Sequence, residues 1–97
     1  MSTPASWKLD SYTVDTLTDL VAETANVTTI IASNTDLLND AVVQVEYNGA
    51  NISGSKIIPA GESESLRIKS LPTTAAVKIQ VSADITGVEF TAVGLTP

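Results

Sequence analysis

Ninety-seven residues without a cysteine or a histidine exclude disulfides, thiolate zinc sites, thiol nucleophiles and a Ser-His-Asp triad. Five Lys and Arg against eleven Asp and Glu give a net charge of −6, the wrong sign for a nucleic-acid or anionic-membrane partner. A hydrophobic share of 43% is too high for a disordered chain, and no apolar run approaches the roughly 18 residues of a membrane span.

The first fifteen residues differ from the rest. Met1 to Ser6 is small and polar, and Trp7 to Val14 then holds two of the four aromatics. Trp7 and Leu9 fall on one face and Tyr12 and Val14 on the other, so residues 1–15 read as an N-terminal arm or an edge strand. The start lacks the basic-then-apolar pattern of a signal peptide, and folding in a cytoplasm without an export step is the expectation.

Residues 16–97 read as one domain. Leu17 to Glu23 is a candidate first strand. In Asn26 to Ser33, the consecutive Val27, Thr28, Thr29, Ile30 and Ile31 predict a central strand covered on both faces. Asn34 to Asp40 is a loop rich in Asn and Asp. Ala41 to Tyr47 alternates, with Val43, Val45 and Tyr47 on one face and Gln44 and Glu46 on the other. Asn48-Gly49 predicts a type I′ hairpin turn, because both central residues need positive φ. Asn51 to Ile58 is the return strand, weakened by Gly54. Pro59-Ala60-Gly61 fits a type I turn with Pro second and Gly fourth. Ser63 to Lys69 alternates, with Leu66 and Ile68 inward and Arg67 and Lys69 outward. Leu71 to Thr74 breaks that strand. Val77, Ile79, Val81 and Ala83 alternate with polar residues. Val88, Phe90 and Ala92 line the inner face of a last strand, and Gly94 to Pro97 is a tail.

Seven or eight short strands with turn signals every 8–12 residues predict an all-β antiparallel β-sandwich, immunoglobulin-like or jelly-roll. Thirteen Thr and ten Ser agree with strands and turns, and four aromatics leave a core of Val, Ile, Leu and Ala.

Sites for chemistry are few. Ser55 and Lys56 are neighbours on a strand and point to opposite faces. Glu62 and Glu64 share a face, but they follow a turn, and a small sandwich lacks the cleft a glycosidase uses. Asn34, Asp36, Asn39 and Asp40 carry the oxygen ligands a calcium ion takes, without the central Gly and terminal Glu of the helix–loop–helix calcium loop; a solvated loop is the simpler reading. Asn26-Val27-Thr28 and Asn51-Ile52-Ser53 match a glycosylation sequon in a chain rich in these residue types. The expectation is a protein that is not an enzyme and has no cofactor and no metal. Trp7, Leu9 and Tyr12 are the candidate partner-binding residues, since exposed aromatics often carry interface energy; the competing reading folds Trp7 back as a cap on the core.

Residues 27–94 also resemble small β-sandwich virion proteins of tailed bacteriophages. The resemblance rests on Ile30-Ile31-Ala32-Ser33-Asn34-Thr35 followed by Val42 to Tyr47, on Ile57-Ile58-Pro59-Ala60-Gly61-Glu62-Ser63, and on Val77 to Ala83 with Gly87-Val88-Glu89-Phe90-Thr91-Ala92. The chain departs from that pattern at Glu23-Thr24-Ala25-Asn26, where similar chains turn on Pro-Gly. The resemblance implies a virion structural protein assembled in the host cytoplasm. Its first form is a capsid decoration (cement) protein that binds the major capsid protein or another virion protein as a homo-oligomer on the particle. A tail, neck or baseplate accessory protein is the alternative. A carbohydrate-binding module is a second alternative from another class, and it needs a platform of exposed aromatics.

Overall fold

The computed structural model describes residues 2–97, and for Arg67 and Ile68 the backbone alone. Nine strands form two sheets: β1 (Thr3–Leu9), β2 (Thr18–Val21), β3 (Ala25–Asn34), β4 (Ala41–Tyr47), β5 (Ala50–Asn51), β6 (Lys56–Ile58), β7 (Ser63–Thr73), β8 (Ile79–Ala83) and β9 (Val88–Thr96). The all-β sandwich expected from the sequence is what forms. The count exceeds seven or eight because β1 is a full strand and the return strand is split by residues 52–55 into β5 and β6.

The pairing chooses between the two sandwich types. First pairs with last: β1 with β9, β2 with β8, β3 with β7, and β4 with β5 and β6, all antiparallel. This nested hairpin is wound into one sheet of order β1-β9-β3-β7 and another of order β2-β8-β4-β5, with β6 also on β4. That is a jelly roll. An immunoglobulin-like sandwich would instead pair its first strand with its second and its last with the one before it.

Side chains between the sheets form the core. Val27, Ile30, Val43, Ile58, Ile79, Val88 and Phe90 are fully buried, and Phe90 is the single aromatic among the buried residues. The alternation read from β4, β8 and β9 holds: Val43 and Val45, Ile79 and Val81, and Val88, Phe90 and Ala92 all face inward.

The departures have local causes. The β3 run is central but has one buried face: Val27, Ile30 and Ala32 are buried, whereas Thr28 is exposed and Thr29 and Ile31 are half-buried. A bulge between Val27 and Thr29 shifts the register and lets residues three apart both point inward. A second bulge between Asp19 and Val21 turns the adjacent Leu20 and Val21 inward together. Asn48 and Gly49 have φ of 50° and 81°, the predicted type I′ turn. In the next turn, the Glu62 N–H donates to the Pro59 carbonyl at 3.1 Å and Gly61 has φ of 74°. That is type II with Gly third, one residue later than the type I turn expected. β7 continues through Leu71-Pro72-Thr73 instead of breaking. It is an edge strand, where a missing N–H is tolerated, and the Tyr47 hydroxyl donates to the Pro72 carbonyl at 2.6 Å. Leu66 faces inward and Lys69 outward as expected; the expected directions of Arg67 and Ile68 lie outside the described residues. The expected tail is strand, with Leu95 paired to both Pro4 and Asn26.

The molecule is long, 44 × 23 × 22 Å, so it has two poles. The registers Leu9↔Phe90, Asn34↔Val88, Ser33↔Ser63, Ala41↔Ile58 and Val43↔Ala83 bring loops 10–17, 35–40, 59–62 and 84–87 to one pole. The chain ends and the Asn48-Gly49 turn lie at the other.

Candidate functional site

Trp7, Leu9 and Tyr12 are all half-buried and packed against the core of their own chain. Trp7 and Leu9 lie on the inward face of edge strand β1. Alternation predicts Tyr12 on the opposite face, but the strand ends at Leu9 and the chain then bends inward. The Tyr12 hydroxyl donates to the Ile85 carbonyl at 2.6 Å and accepts from the Val88 N–H at 3.1 Å. Its ring meets Phe90 edge-on at 6.1 Å. Desolvation by this packing pushes the Tyr12 pKa above its ordinary value. Only the exposed remainder of Trp7 and Leu9 is left to meet a partner.

The side chains that do stand free are elsewhere. Leu37 and Leu38 are 80% and 89% exposed, the two most exposed large apolar residues among those described. They sit in loop 35–40, between Asp36 and Asn39. Hydration of a bare Leu pair is unfavourable, and exposed apolar groups rimmed by polar ones mark interaction sites.

The loop is held rigid from below. Asn34, 2% exposed, ends β3, and its amide nitrogen donates to the carbonyls of Asn39 at 2.8 Å and Ile58 at 3.0 Å. Its amide oxygen accepts from the Asp36 N–H at 3.0 Å. The Asp36 carboxylate in turn accepts from the N–H groups of Leu38 and Asn39 at 2.8 and 3.0 Å, an Asx-type turn. Neighbouring loops lock on: Gly61 N–H to the Asp36 carbonyl at 2.9 Å, Ala60 N–H to the Asp40 carboxylate at 3.1 Å, and Thr35 N–H to the Gly87 carbonyl at 2.9 Å. Asn34→Ala is expected to cost about 1–3 kcal/mol, because it strands two carbonyls at a buried position. Chemical denaturation measures this, and a change below a few tenths of a kcal/mol would contradict the buried network.

The segment from Asn34 to Asp40, with its four candidate oxygen ligands, is a hydrogen-bonded scaffold. Both of its carboxylates, Asp36 and Asp40, already accept backbone N–H groups, and no group of three or more His, Cys, Asp or Glu side chains placed to hold a metal occurs among the described residues. The N–H groups of Leu38 and then Asn39 hold the Asp36 carboxyl below its ordinary pKa. A lowered folded-state pKa stabilises the folded loop above the ordinary carboxylate range, about pH 4, and that contribution is lost as pH falls through the lower folded value. The Leu38 and Asn39 amide shifts should thus titrate with a midpoint below about 3.9 and stop titrating in Asp36→Asn; a midpoint at or above it would contradict the geometry.

The remaining sequence candidates do not converge. Ser55 pairs with Gln44, whereas Lys56 forms an ion pair with Glu64 at 3.2 Å across the sheet edges. Glu62 lies in the turn before β7, apart from that pair. Asn51 accepts from Ser53 and Gly54 N–H groups, and Asn26 pairs with Ser70. A groove of about 460 Å³ opens between β7 and the β5–β6 edge, floored by Ile30, Val45 and Leu66.

Charge has a spatial order that the sequence hides. Carboxylates are dispersed along the chain, but Asp10, Asp15, Asp36, Asp40, Glu62 and Asp84 all fall in the four loops of one pole, which contain no Lys or Arg. None of the three described ion pairs, Lys8–Glu89, Lys56–Glu64 and Lys78–Asp19, involves them. The Leu pair was legible as an apolar step inside a polar loop. The Asn and Asp on either side make the segment read as a solvated loop.

No family model matches the chain, and no curated protein matches it.

Proposed function

We propose that the chain is a non-enzymatic structural protein of a phage virion, a decoration protein that docks on the outer shell through the pole carrying loop 35–40. The observation that carries this reading is the Leu37-Leu38 pair, exposed on a loop whose polar groups are tied back. A pre-ordered apolar tip loses little conformational entropy on binding, which is how a small contact gains affinity. Repetition over a lattice multiplies a modest single contact, and binding stabilises the shell by mass action.

The same surface disfavours the carbohydrate alternative. Trp7 and Tyr12 pack on the core, Phe90 is buried, and Tyr47 packs against the core with its hydroxyl bound to Pro72. The four aromatics offer no stacking platform.

The test is the number of copies per purified particle, by quantitative mass spectrometry, in the phage that carries this sequence. A copy number of the order of the shell subunit's supports decoration. A few copies per particle would move the protein to the tail, neck or baseplate. Absence from the particle would end the virion reading.

A further inference from the structure

Resting on the docking role just proposed, we infer the chemistry of the surface that receives Leu37 and Leu38: an apolar socket on a protein, rimmed by Lys and Arg. The Leu pair supplies the apolar anchor, 80% and 89% exposed. The six carboxylates of the surrounding loops supply the sign of the rim. Desolvated apolar centres within a charged periphery are the ordinary anatomy of protein interfaces. Complementary charge at the periphery governs encounter rate and orientation more than final affinity.

The collar also selects against other occupants. An anionic bilayer is repelled by a pole with six carboxylates and no Lys or Arg. A calcium bridge to lipid is disfavoured because no group of three or more His, Cys, Asp or Glu side chains placed to hold an ion occurs among the described residues. A second copy presenting the same pole would bring like charges together. The opposite pole is not a rival for the same partner: its connections 22–24, 48–49 and 74–78 hold one acid, Glu23, and one base, Lys78.

The experiment is a nuclear magnetic resonance titration of the isotope-labelled chain. The probes are two synthetic amphipathic peptides with one Leu-rich face, flanked by Lys in one and by Glu in the other. Phosphatidylcholine–phosphatidylserine vesicles, with and without calcium, form a third arm. The Lys-flanked peptide should shift amides of residues 35–40, 59–62 and 84–87, and affinity should fall about tenfold between 50 and 500 mM salt. The Leu37→Ser/Leu38→Ser double variant should bind at least about tenfold more weakly, with an unchanged melting temperature, because both residues are exposed. Equal binding of both peptides, shifts centred on Asn48 and Gly49, or vesicle binding that depends on the Leu pair without peptide binding would each overturn the inference. Failure of the virion reading is separable: peptide binding at this pole by a chain absent from particles leaves the socket chemistry standing. Particles that take up the wild type and the double variant equally remove the docking site and leave the virion role.

Discussion

Phe90→Ala is expected to destabilise the fold by about 3–5 kcal/mol, a large part of the roughly 5–15 kcal/mol that a domain of this size has in total. Phe90 is fully buried, near the start of β9, and meets Tyr12 edge-on at 6.1 Å. The side chains around it are mostly Val, Ile, Leu and Ala, which are short and fixed to sheet backbones, so they cannot swing in to fill the space. Tyr12 would lose its ring contact while its hydroxyl stayed tied to Ile85 and Val88. The melting temperature should fall by about 12–40 °C, at 4–8 °C per kcal/mol. Phe90→Leu, which keeps most of the apolar volume, should cost under about 2 kcal/mol. A loss below about 1 kcal/mol for the Ala variant would mean that the sheets do not close on this ring.

Gly94→Ala should cost at least about 1–3 kcal/mol, for a different reason. Gly94 pairs with Ala5 on one side and Val27 on the other, beside the β3 bulge. The bulge brings the neighbouring backbone so close that an added Cβ would collide with the Asn26 carbonyl oxygen and lie 2.8 Å from the Val27 Cα. Backbone in the middle of a sheet cannot yield as a flexible side chain can. Gly49→Ala is the control: at φ of 81° it is conformationally strained, but nothing lies within 4 Å of the new methyl, so about 1–2 kcal/mol is expected. Denaturation midpoints of the two variants decide the matter. A loss below about 1 kcal/mol for Gly94→Ala would contradict the close approach of β9 and β3.

What was legible in the sequence was local. The alternation in β4 and β8 and the Asn48-Gly49 turn act within a few residues and form as read, and the β-branched run of β3 forms a central strand, though with one buried face instead of two. The choice of jelly roll was not legible, because it depends on β1 meeting β9 across almost the whole chain. Bulges at Thr28 and Leu20 shift inward parity by one residue and make simple alternation misassign faces. Pro72 signals a break only if its strand is central, and edge position is a property of the sheet. The last residues look like a tail until β1 and β3 flank them.

The candidate site follows the same division. Trp7 and Tyr12 have the residue types of an interface, but a core with one fully buried aromatic makes use of both. The anionic pole has no signature in sequence, because its six carboxylates are spread from residue 10 to residue 84. Only the turns of a nested hairpin bring them together. Leu37 and Leu38 were visible all along. Their meaning depended on finding Asn34 buried beneath them and Asp36 folded back onto the loop.

The most direct test of the central claim is a cryo-electron microscopy reconstruction of particles carrying the chain, detailed enough to orient the 44 Å long axis of the sandwich. The account predicts regular density on the shell with loops 35–40 and 59–62 facing it and both chain ends pointing away. Density with the chain ends against the shell, or with Leu37 and Leu38 turned to solvent, would contradict it.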